Sequence, residues 1–231
     1  MVSRKRRPAA PPVPAATSRD RLLAAAAEEF AARGFDGAKV DRIAARARVN
    51  KALLYYYFRN KAALYREVLL DLFRTIAGAV SRVRDAGGPA DAQLVRFIEA
   101  VADEIVKRPL FPAMWLREMA EGGRHVDESI VLEMRRVVEA LGGVLQNGRR
   151  EGLFVPANPL VTQIGIVAPL LFFAATAPVR ERFQHLAPAQ LSSIPRELVV
   201  DHVRRATLAA LGVGSAAEAG PAAARSRRQV R

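Results

Sequence analysis

Residues 40–61 read VDRIAARARVNKALLYYYFRNK, and this stretch decides the fold at the front of the chain. It predicts two short helices joined by a tight turn, followed by the start of a third helix. The second helix contains three consecutive tyrosines. Neighbouring residues on a helix point about 100° apart, so the three rings cannot all face a core and at least one must be exposed. This argues against an aromatic core cluster and favours a helix-turn-helix that enters a DNA major groove.

The outward positions of the second helix carry groups that suit nucleic acid. Lys51 can donate to a guanine edge or to a phosphate, and the small Ala52 lets the helix approach base edges. Leu53 can contact a thymine methyl group. Tyr55 and Tyr56 each offer a hydroxyl to phosphate and a flat ring to sugar or methyl groups. We therefore predict that these side chains specify the DNA sequence.

Two flanking residues are expected to bind phosphates. Asn50 is the predicted N-cap of the second helix, whose N-terminus carries a partial positive charge that attracts anions. Lys61 lies in the first turn of the following helix, where its charge opposes the helix dipole. A phosphate contact would explain a lysine at that place and would position the helix-turn-helix on DNA.

The rest of the sequence predicts an all-α protein, because almost every segment shows a helical period and no alternating strand pattern is clear. Glycine and proline residues divide the chain into helices near 18–33, 40–46, 50–57, 61–84, 90–107, 110–121, 127–150, 158–177 and 195–211. We expect an N-terminal three-helix helix-turn-helix head at 17–62 and a larger helical ligand-binding and dimerisation body at 63–212. The low-complexity segments 1–16 and 213–231 predict a disordered basic arm and a disordered basic tail.

Composition limits the possible functions of the chain. The formal net charge is +13, and the basic residues are concentrated in the head and the two terminal segments, as expected for contact with a polyanion. Basic terminal segments that merely aid solubility remain an alternative. The chain has no cysteine, and its three histidines (His125, His185 and His202) are scattered. We therefore expect no metal or cofactor and, since no catalytic constellation stands out, no enzyme.

Residues 160–179, LVTQIGIVAPLLFFAATAPV, are nearly all apolar and almost long enough to cross a bilayer. Polar Thr162 and Gln163 lie near one end, Pro169 lies in the middle, and no aromatic belt or basic flank marks the start. A helix that is apolar on all sides can instead be buried by its own core and by a partner subunit. We favour this buried interface over a membrane span.

The body also carries bulky apolar residues that could line a pocket for a hydrophobic, aromatic or cationic ligand. The candidate lining residues are Phe73, Phe97, Val101, Phe111, Met114, Trp115, Met119, Met134 and Phe172, with Phe173 beside them. Polar candidates nearby are Arg117, Glu118 and His125. Ordinary core packing is the alternative for each of these residues.

The head resembles the TetR family of bacterial transcriptional regulators. The family pattern has a helix that ends in F-x-x-x-G-[FY], followed by T-[TV]-x-x-I-A-x-x-A-G-V-[ST]-x-G-x-[LI]-Y-x-[YH]-F-x-[SN]-K-x-x-L. The residues that fit it are Phe30, Gly34, Phe35, Val40, Ile43, Ala44, Ala47, Val49, Lys51, Leu54, Tyr55, Tyr57, Phe58, Asn60, Lys61 and Leu64. The body is similar to the family only in its helical content and length.

The resemblance implies a cytoplasmic homodimer, nucleoid-associated when bound to DNA, whose two heads bind a palindromic operator. Helices at about 158–177 and 195–211 would form the dimer interface. A small hydrophobic effector in the body would release the DNA, which makes the protein a repressor. Carried over position by position, the implied DNA contacts are Lys39, Arg48, Asn50, Lys51, Ala52, Leu53, Tyr55, Tyr56 and Lys61.

The sequence departs from the family pattern at several positions. Lys39 stands where a threonine usually caps the second helix, so it keeps a phosphate contact but not the cap. Arg48 replaces the usual turn glycine, and a left-handed conformation there would cost roughly 1 kcal/mol. Ala52 and Leu53 leave the operator preference open. The alternative functions are an architectural, largely non-specific DNA-binding protein driven by its basic terminal segments, or an enzyme or membrane-associated protein with a vestigial head.

Overall fold

The computed structural model describes residues 17–186 and 194–213, and all regular secondary structure in these ranges is helical. In chain order the helices are α1 Ser18–Gly37, α2 Val40–Ala47, α3 Lys51–Phe58, α4 Lys61–Asp85, α5 Ala90–Lys107, α6 Phe111–Ala120, α7 Glu128–Arg150, α8 Pro159–Ala175, α9 Ala177–Arg182 and α10 Arg196–Ala210. The all-α prediction is confirmed. The arm predicted at 1–16, and the predicted tail beyond residue 213, lie outside the described residues.

Local signals place the helix ends of the head. Thr17 and Asp20 form a capping box at the start of α1, in which each side chain accepts the other residue's backbone N–H. Gly34 interrupts α1 with φ 67°, as the sequence predicts, but the chain then forms one more turn before Ala38. Asn50 and Asn60 cap α3 and α4, since each side chain accepts a backbone N–H three residues later at 2.7 and 2.8 Å.

The head is held together by a small apolar core. On α1, Leu22, Ala26 and Phe30 are four residues apart and therefore point the same way, and all three are almost fully buried. It packs on the buried residues of α2 and α3, which include Ile43 and Leu54. Truncating one such buried side chain to alanine typically lowers the free energy of unfolding by about 2–5 kcal/mol. This core therefore holds α3 in a fixed orientation against α1 and α2.

The long helix α4 connects the head to the body. The four-residue spacing of Leu64, Val68, Leu72, Ile76 and Val80 indicates an apolar stripe, and all of these residues are buried except Val68, which is partly buried. Helix α7 packs beside α4, and α5 packs against both. Apolar residues of the head and the body belong to one continuous core cluster, so α4 is a structural part of both regions.

Helix α8 packs on the body along one side only. Ile166, Leu170 and Leu171 are buried, whereas Val161 is 67 % exposed and Ile164 is 57 % exposed. Together with α9 it forms the one segment among the described residues, Pro159–Arg182, that is long and apolar enough to cross a membrane by length and composition. A single chain therefore buries one side of α8 and leaves the other side exposed. The exposed side is the one that the predicted dimer interface would cover.

Candidate functional site

The turn between α2 and α3 has the geometry that the family pattern assigns to glycine. Arg48 adopts φ 54° and ψ 47°, a left-handed conformation. Its backbone N–H donates to Ala45 O at 3.1 Å, and the N–H of Val49 donates to Ala44 O at 3.1 Å. These two bonds form a Schellman motif, which satisfies the last carbonyls of α2 and turns the chain into α3. The strain expected at Arg48 is therefore present.

Helix α3 presents its aromatic residues to solvent. Leu54 and Phe58 are buried against the head core, while Tyr55, Tyr56 and Tyr57 are all exposed, Tyr56 by 81 %. The helical period explains this division, since the buried pair lies four residues apart on one face. The result is an exposed group of aromatic rings on α3, with the Tyr56 and Tyr57 rings inclined at 73° to each other, which is suited to contact with a large polyanionic partner.

Lys51 lies at the first position of α3 and connects it to α2. Its ammonium forms an ion pair with Asp41 at 2.8 Å, and both side chains are substantially exposed. The hydrogen bond from this ammonium to Asp41 raises the pKa of Lys51. An exposed pair of this kind contributes little to stability, so a phosphate or base edge can replace Asp41 as partner at small cost.

Lys61 has a structural task that sequence reasoning missed. Its ammonium donates to the carbonyl oxygens of Phe35 at 2.9 Å and Ala38 at 3.3 Å, and it lies 4.5 Å from the centre of the Phe35 ring. These carbonyls follow the break at Gly34 at the end of α1, where regular helical donors run out, and the Phe35 oxygen also accepts the N–H of Ala38 at 3.3 Å. The contacts account for a lysine at the start of α4 without DNA, and its phosphate contact stays a prediction.

Other exposed cations flank α2 and α3 in the chain. Lys39 and Arg48, both predicted DNA contacts, are exposed at the two ends of α2. Arg59 is exposed in the two-residue connection after α3 and has φ 54° and ψ −47°, and sequence reasoning did not single it out. Its position directly after the aromatic run was the available signal.

A buried carboxylate fixes α2 against α1. Glu29 is 3 % exposed, and its Oε1 accepts hydrogen bonds from Nε of Arg42 at 2.6 Å and from the backbone N–H of Lys39 at 3.2 Å. The bond from Arg42 is the main reason that the pKa of Glu29 is lowered, and burial opposes it. This contact supplies a partner for the start of α2, where Lys39 gives no side-chain cap.

A second candidate site is a cavity of about 430 Å³ in the body, bounded mainly by α4, α6, α7 and α8. Six of the nine residues predicted to line a pocket do line it, namely Phe73, Phe111, Trp115, Met119, Met134 and Phe172. Trp115 lies 4.8 Å from Phe73 and 6.0 Å from Phe111 between ring centres. The aromatic cluster therefore forms one wall of the cavity.

Three of the predicted lining residues lie elsewhere. Phe97 and Val101 are fully buried in the core on α5 and do not reach the cavity, so ordinary packing is their role. Met114 lines a different groove, of about 410 Å³, between α1, α4 and the connection of α5 to α6. It precedes Trp115 by one residue, and the 100° step of a helix turns it towards the head. Phe173 packs against Arg180 instead, with the guanidinium carbon 3.8 Å from the ring centre.

The polar residue of the cavity is one that the sequence analysis did not assign to it. Gln163 lies on α8 and is the only polar side chain in the cavity wall among the described residues. Its Oε1 is buried and has no hydrogen-bond partner there. A glutamine inside a run of apolar residues was the sequence signal, but the run alone does not show which side of the helix borders a cavity.

The polar candidates predicted for the pocket lie at the junction of head and body. Buried Glu118 accepts the backbone N–H of His125 at 2.7 Å, and its Oε2 lies 3.0 Å from Nδ1 of the same residue. Burial raises the pKa of Glu118, but the hydrogen bonds from His125 outweigh it and the pKa is lowered. Burial is the main reason that the pKa of Tyr65 is raised, and the negative charge of Glu118 raises it further. The His125 ring lies 4.0 Å from that of Phe35 on α1.

Helix α6 contacts both the cavity and the head. Trp115 and Met119 line the cavity, and Arg117 donates to the carbonyl oxygens of Phe30 at 3.3 Å and Ala31 at 3.4 Å. These carbonyls precede the break in α1. A displacement of α6 by a ligand would therefore act directly on α1, the helix that supports the helix-turn-helix.

Comparison with known proteins agrees with this geometry. The family model described as "Bacterial regulatory proteins, tetR family" matches residues 22–68, which span the helix-turn-helix. The chain is 29 % identical over 161 residues to the HTH-type transcriptional repressor NicS of Pseudomonas putida, covering 68 % of this chain and 74 % of that protein. It is 24 % identical over 157 residues to the HTH-type transcriptional regulator RutR of Escherichia coli, again covering 68 % and 74 %.

The fold is shared with solved structures of low sequence identity. A TetR-family regulatory protein from Rhodococcus RHA1 superposes with a TM-score of 0.68 at 18 % identity, covering 86 % of this chain and 99 % of that one. The TetR-family regulator PfmR from Thermus thermophilus gives 0.63 at 19 % identity, covering 86 % and 97 %. With its aromatic helix facing solvent, the helix-turn-helix within residues 22–68 is that of the TetR family of bacterial transcriptional regulators, and it stands on an all-helical body whose fold solved TetR-family structures share.

Proposed function

We propose that this regulator is a homodimeric repressor that binds a palindromic operator through α2 and α3 and leaves it when a small hydrophobic effector occupies the body cavity. The observation that carries the proposal is the exposed face of α3. A tyrosine that is 81 % exposed, as Tyr56 is, contributes little to packing. It lies among Lys51, Tyr55 and exposed cations, as expected of a surface that binds DNA.

The DNA contacts that we propose are the nine predicted residues, with Arg59 added for its place after α3. Lys39, Arg48 and Asn50 supply charge or a helix N-terminus for phosphates. The side chains of α3 supply base and sugar contacts. Phosphate contacts make DNA binding depend on salt, whereas base contacts make it depend on the DNA sequence. Titrations at different salt concentrations and with different DNA sequences therefore distinguish the phosphate-contacting residues from the base-contacting residues.

The proposed dimer is formed by α8 and α10. The outward side of α8 carries Val161, together with Ile164 and Phe172, which also border the cavity, and Leu198 at the start of α10 is exposed as well. Large apolar patches of this kind mark interaction surfaces in soluble proteins. A second copy of the chain that packs its own α8 and α10 here forms a four-helix interface and places two heads on one operator. We propose a cytoplasmic protein on this basis, not a membrane span.

The dimer is tested by sedimentation of the full chain. We expect one species at twice the chain mass, without detergent, and a shift to monomer when Val161, which lies outside the cavity wall, is replaced by arginine. The matched control is Val131→Arg, which alters a similarly exposed apolar residue on α7. A wild-type monomer, or a protein recovered only with detergent, would exclude this interface.

Effector binding reaches the head through α6 in this proposal. A ligand that contacts Trp115 and Met119 shifts the helix whose Arg117 holds the carbonyls of Phe30 and Ala31. The buried contact of Glu118 with His125 moves with it. This changes the orientation of α1 and hence the spacing of the two heads, and no catalytic step is involved.

The operator is tested by selecting random duplex DNA with the purified full-length protein at physiological salt and sequencing the bound fraction. We expect a palindrome with half-sites about one helical turn apart. Binding without an enriched sequence, lost as salt rises, would instead indicate an architectural protein that binds through its basic terminal segments.

A further inference from the structure

We propose that the body cavity selects an uncharged, largely apolar molecule with one hydrogen-bond donor, and that this donor binds Oε1 of Gln163. The proposal rests on the proposed function, because it specifies the ligand of the cavity assigned there. It depends on two properties of the cavity wall, the lack of ionisable groups and the presence of one unpartnered acceptor.

The cavity wall offers no charge to a ligand. Apart from Gln163, every described residue that lines the cavity is aliphatic, aromatic or methionine. An ionised ligand would lose its hydration on entry and gain no counter-charge, which is strongly unfavourable. Both carboxylates and ammonium ions are therefore excluded.

The aromatic wall does not change this conclusion for cations. Trp115 packs against Phe73 and Phe111 with ring centres 4.8 and 6.0 Å away, so the three rings form a packed cluster instead of an open cage. Interaction with one exposed part of such a wall replaces only a fraction of the hydration of an ammonium ion. The ligand that fits this wall is neutral.

Gln163 provides the specific contact. Its Oε1 is buried and accepts no hydrogen bond within the described part of the chain. Buried acceptors are nearly always paired in native proteins, so an orphan at the wall of a cavity points to a partner that enters the cavity. A hydroxyl or N–H of the ligand satisfies this oxygen, whereas an ether or ester oxygen does not.

The test uses adamantane derivatives that differ in one group: the alcohol, its methyl ether, the carboxylate and the ammonium. The compact cage fits a cavity of about 430 Å³ and does not absorb where tryptophan does. Trp115 is the single tryptophan of the chain, so its fluorescence reports occupancy of the cavity in the full-length protein. Titration calorimetry gives the affinities.

We expect the alcohol to bind about 3- to 10-fold more tightly than the ether, as one neutral hydrogen bond provides. Both ions should bind at least about 100-fold more weakly than the alcohol, because the wall cannot compensate their charge. Either ion binding as tightly as the alcohol would overturn the proposal. So would the failure of all four compounds to bind.

Three variants assign the effect to Gln163. Gln163→Met removes the amide at similar length, so the alcohol should lose its advantage while the ether keeps its affinity. Gln163→Glu should admit the ammonium compound. Gln146→Met changes an exposed glutamine on α7 and should alter nothing. Unfolding midpoints show that each variant is folded, and an unchanged preference of the alcohol in Gln163→Met would contradict the contact.

Operator binding by the same preparation separates this proposal from the proposed function. A protein that selects a palindrome but binds none of the four compounds has the function without this ligand chemistry. A protein that binds the alcohol but prefers no DNA sequence fails the proposed function, whatever its cavity binds.

Discussion

Replacing Arg48 by glycine should make the protein more stable and weaken its binding to DNA. Arg48 has φ 54° and ψ 47° in the turn of the helix-turn-helix. A left-handed conformation costs an L-residue roughly 1–2 kcal/mol, and glycine avoids this but loses about 0.5–1 kcal/mol more backbone entropy on folding. The exposed guanidinium makes no hydrogen bond or ion pair to other described residues, so no such bond is lost from the fold.

The net gain expected for Arg48→Gly is about 0.5–1 kcal/mol, which raises the unfolding midpoint by about 1–4 °C in a chain of this size. Calorimetric unfolding measures it. Arg48→Ala is the control for strain, because alanine keeps the Cβ and should not gain this stability. An unfolding midpoint for Arg48→Gly that is equal to or below wild type would refute the strain argument.

The same variants test the phosphate contact. Both Arg48→Gly and Arg48→Ala remove the cation, so each should bind the selected operator more weakly and reduce the salt slope of binding by about one phosphate per head. Arg48→Lys should keep most of the affinity. Unchanged affinity and salt slope in all three variants would show that Arg48 does not contact DNA.

Three further changes test other contacts in the structure. Glu118 has a lowered pKa, so its ionised form stabilises the fold at neutral pH, and this stability is lost as the pH falls through that pKa. Glu118→Gln should therefore lower the unfolding free energy by about 1–3 kcal/mol at pH 7 and by less in acid. A difference that does not change with pH would contradict this. Gly148→Ala would place a Cβ 2.0 Å from the Phe154 ring and should lower the unfolding free energy by about 1–3 kcal/mol. Gly143→Ala in the same helix has room for the Cβ and should raise the unfolding free energy by about 0.5–1 kcal/mol. Equal effects of the two variants in denaturant titrations would be inconsistent with this packing. Lys61→Met should lower the unfolding midpoint by about 2–4 °C, because its contacts with the carbonyl oxygens are lost. An unchanged midpoint would mean that these contacts do not stabilise the fold and that only DNA binding accounts for the lysine.

The helices were predictable because their ends are set by local chemistry. Asn50 and Asn60 bind N–H groups three residues away, and Gly34 breaks α1 where its sequence neighbours predict. Such interactions depend on residues within one turn, which the sequence shows directly. The separate helix α9 was missed, since Thr176 ends α8 without a glycine signal.

The cavity and the contacts across the fold were less predictable. Phe73 lines the cavity and Phe97 is in the core, although both are aromatic residues on long body helices. Which of them borders a cavity depends on how neighbouring helices pack, and no local pattern contains that information. Lys61 likewise binds carbonyls 23 and 26 residues earlier in the chain, so its contacts appear only in the folded structure.

The central claim, that the exposed face of α3 reads an operator, is tested most directly by the operator affinity of Tyr56→Ala beside that of wild type. The operator is the palindrome obtained by selection, and Val131→Ala on α7 serves as the control. We expect Tyr56→Ala to bind at least about 10-fold more weakly with an unchanged unfolding midpoint, and the control to bind as wild type does. Wild-type affinity in Tyr56→Ala would contradict the assignment of this face to DNA.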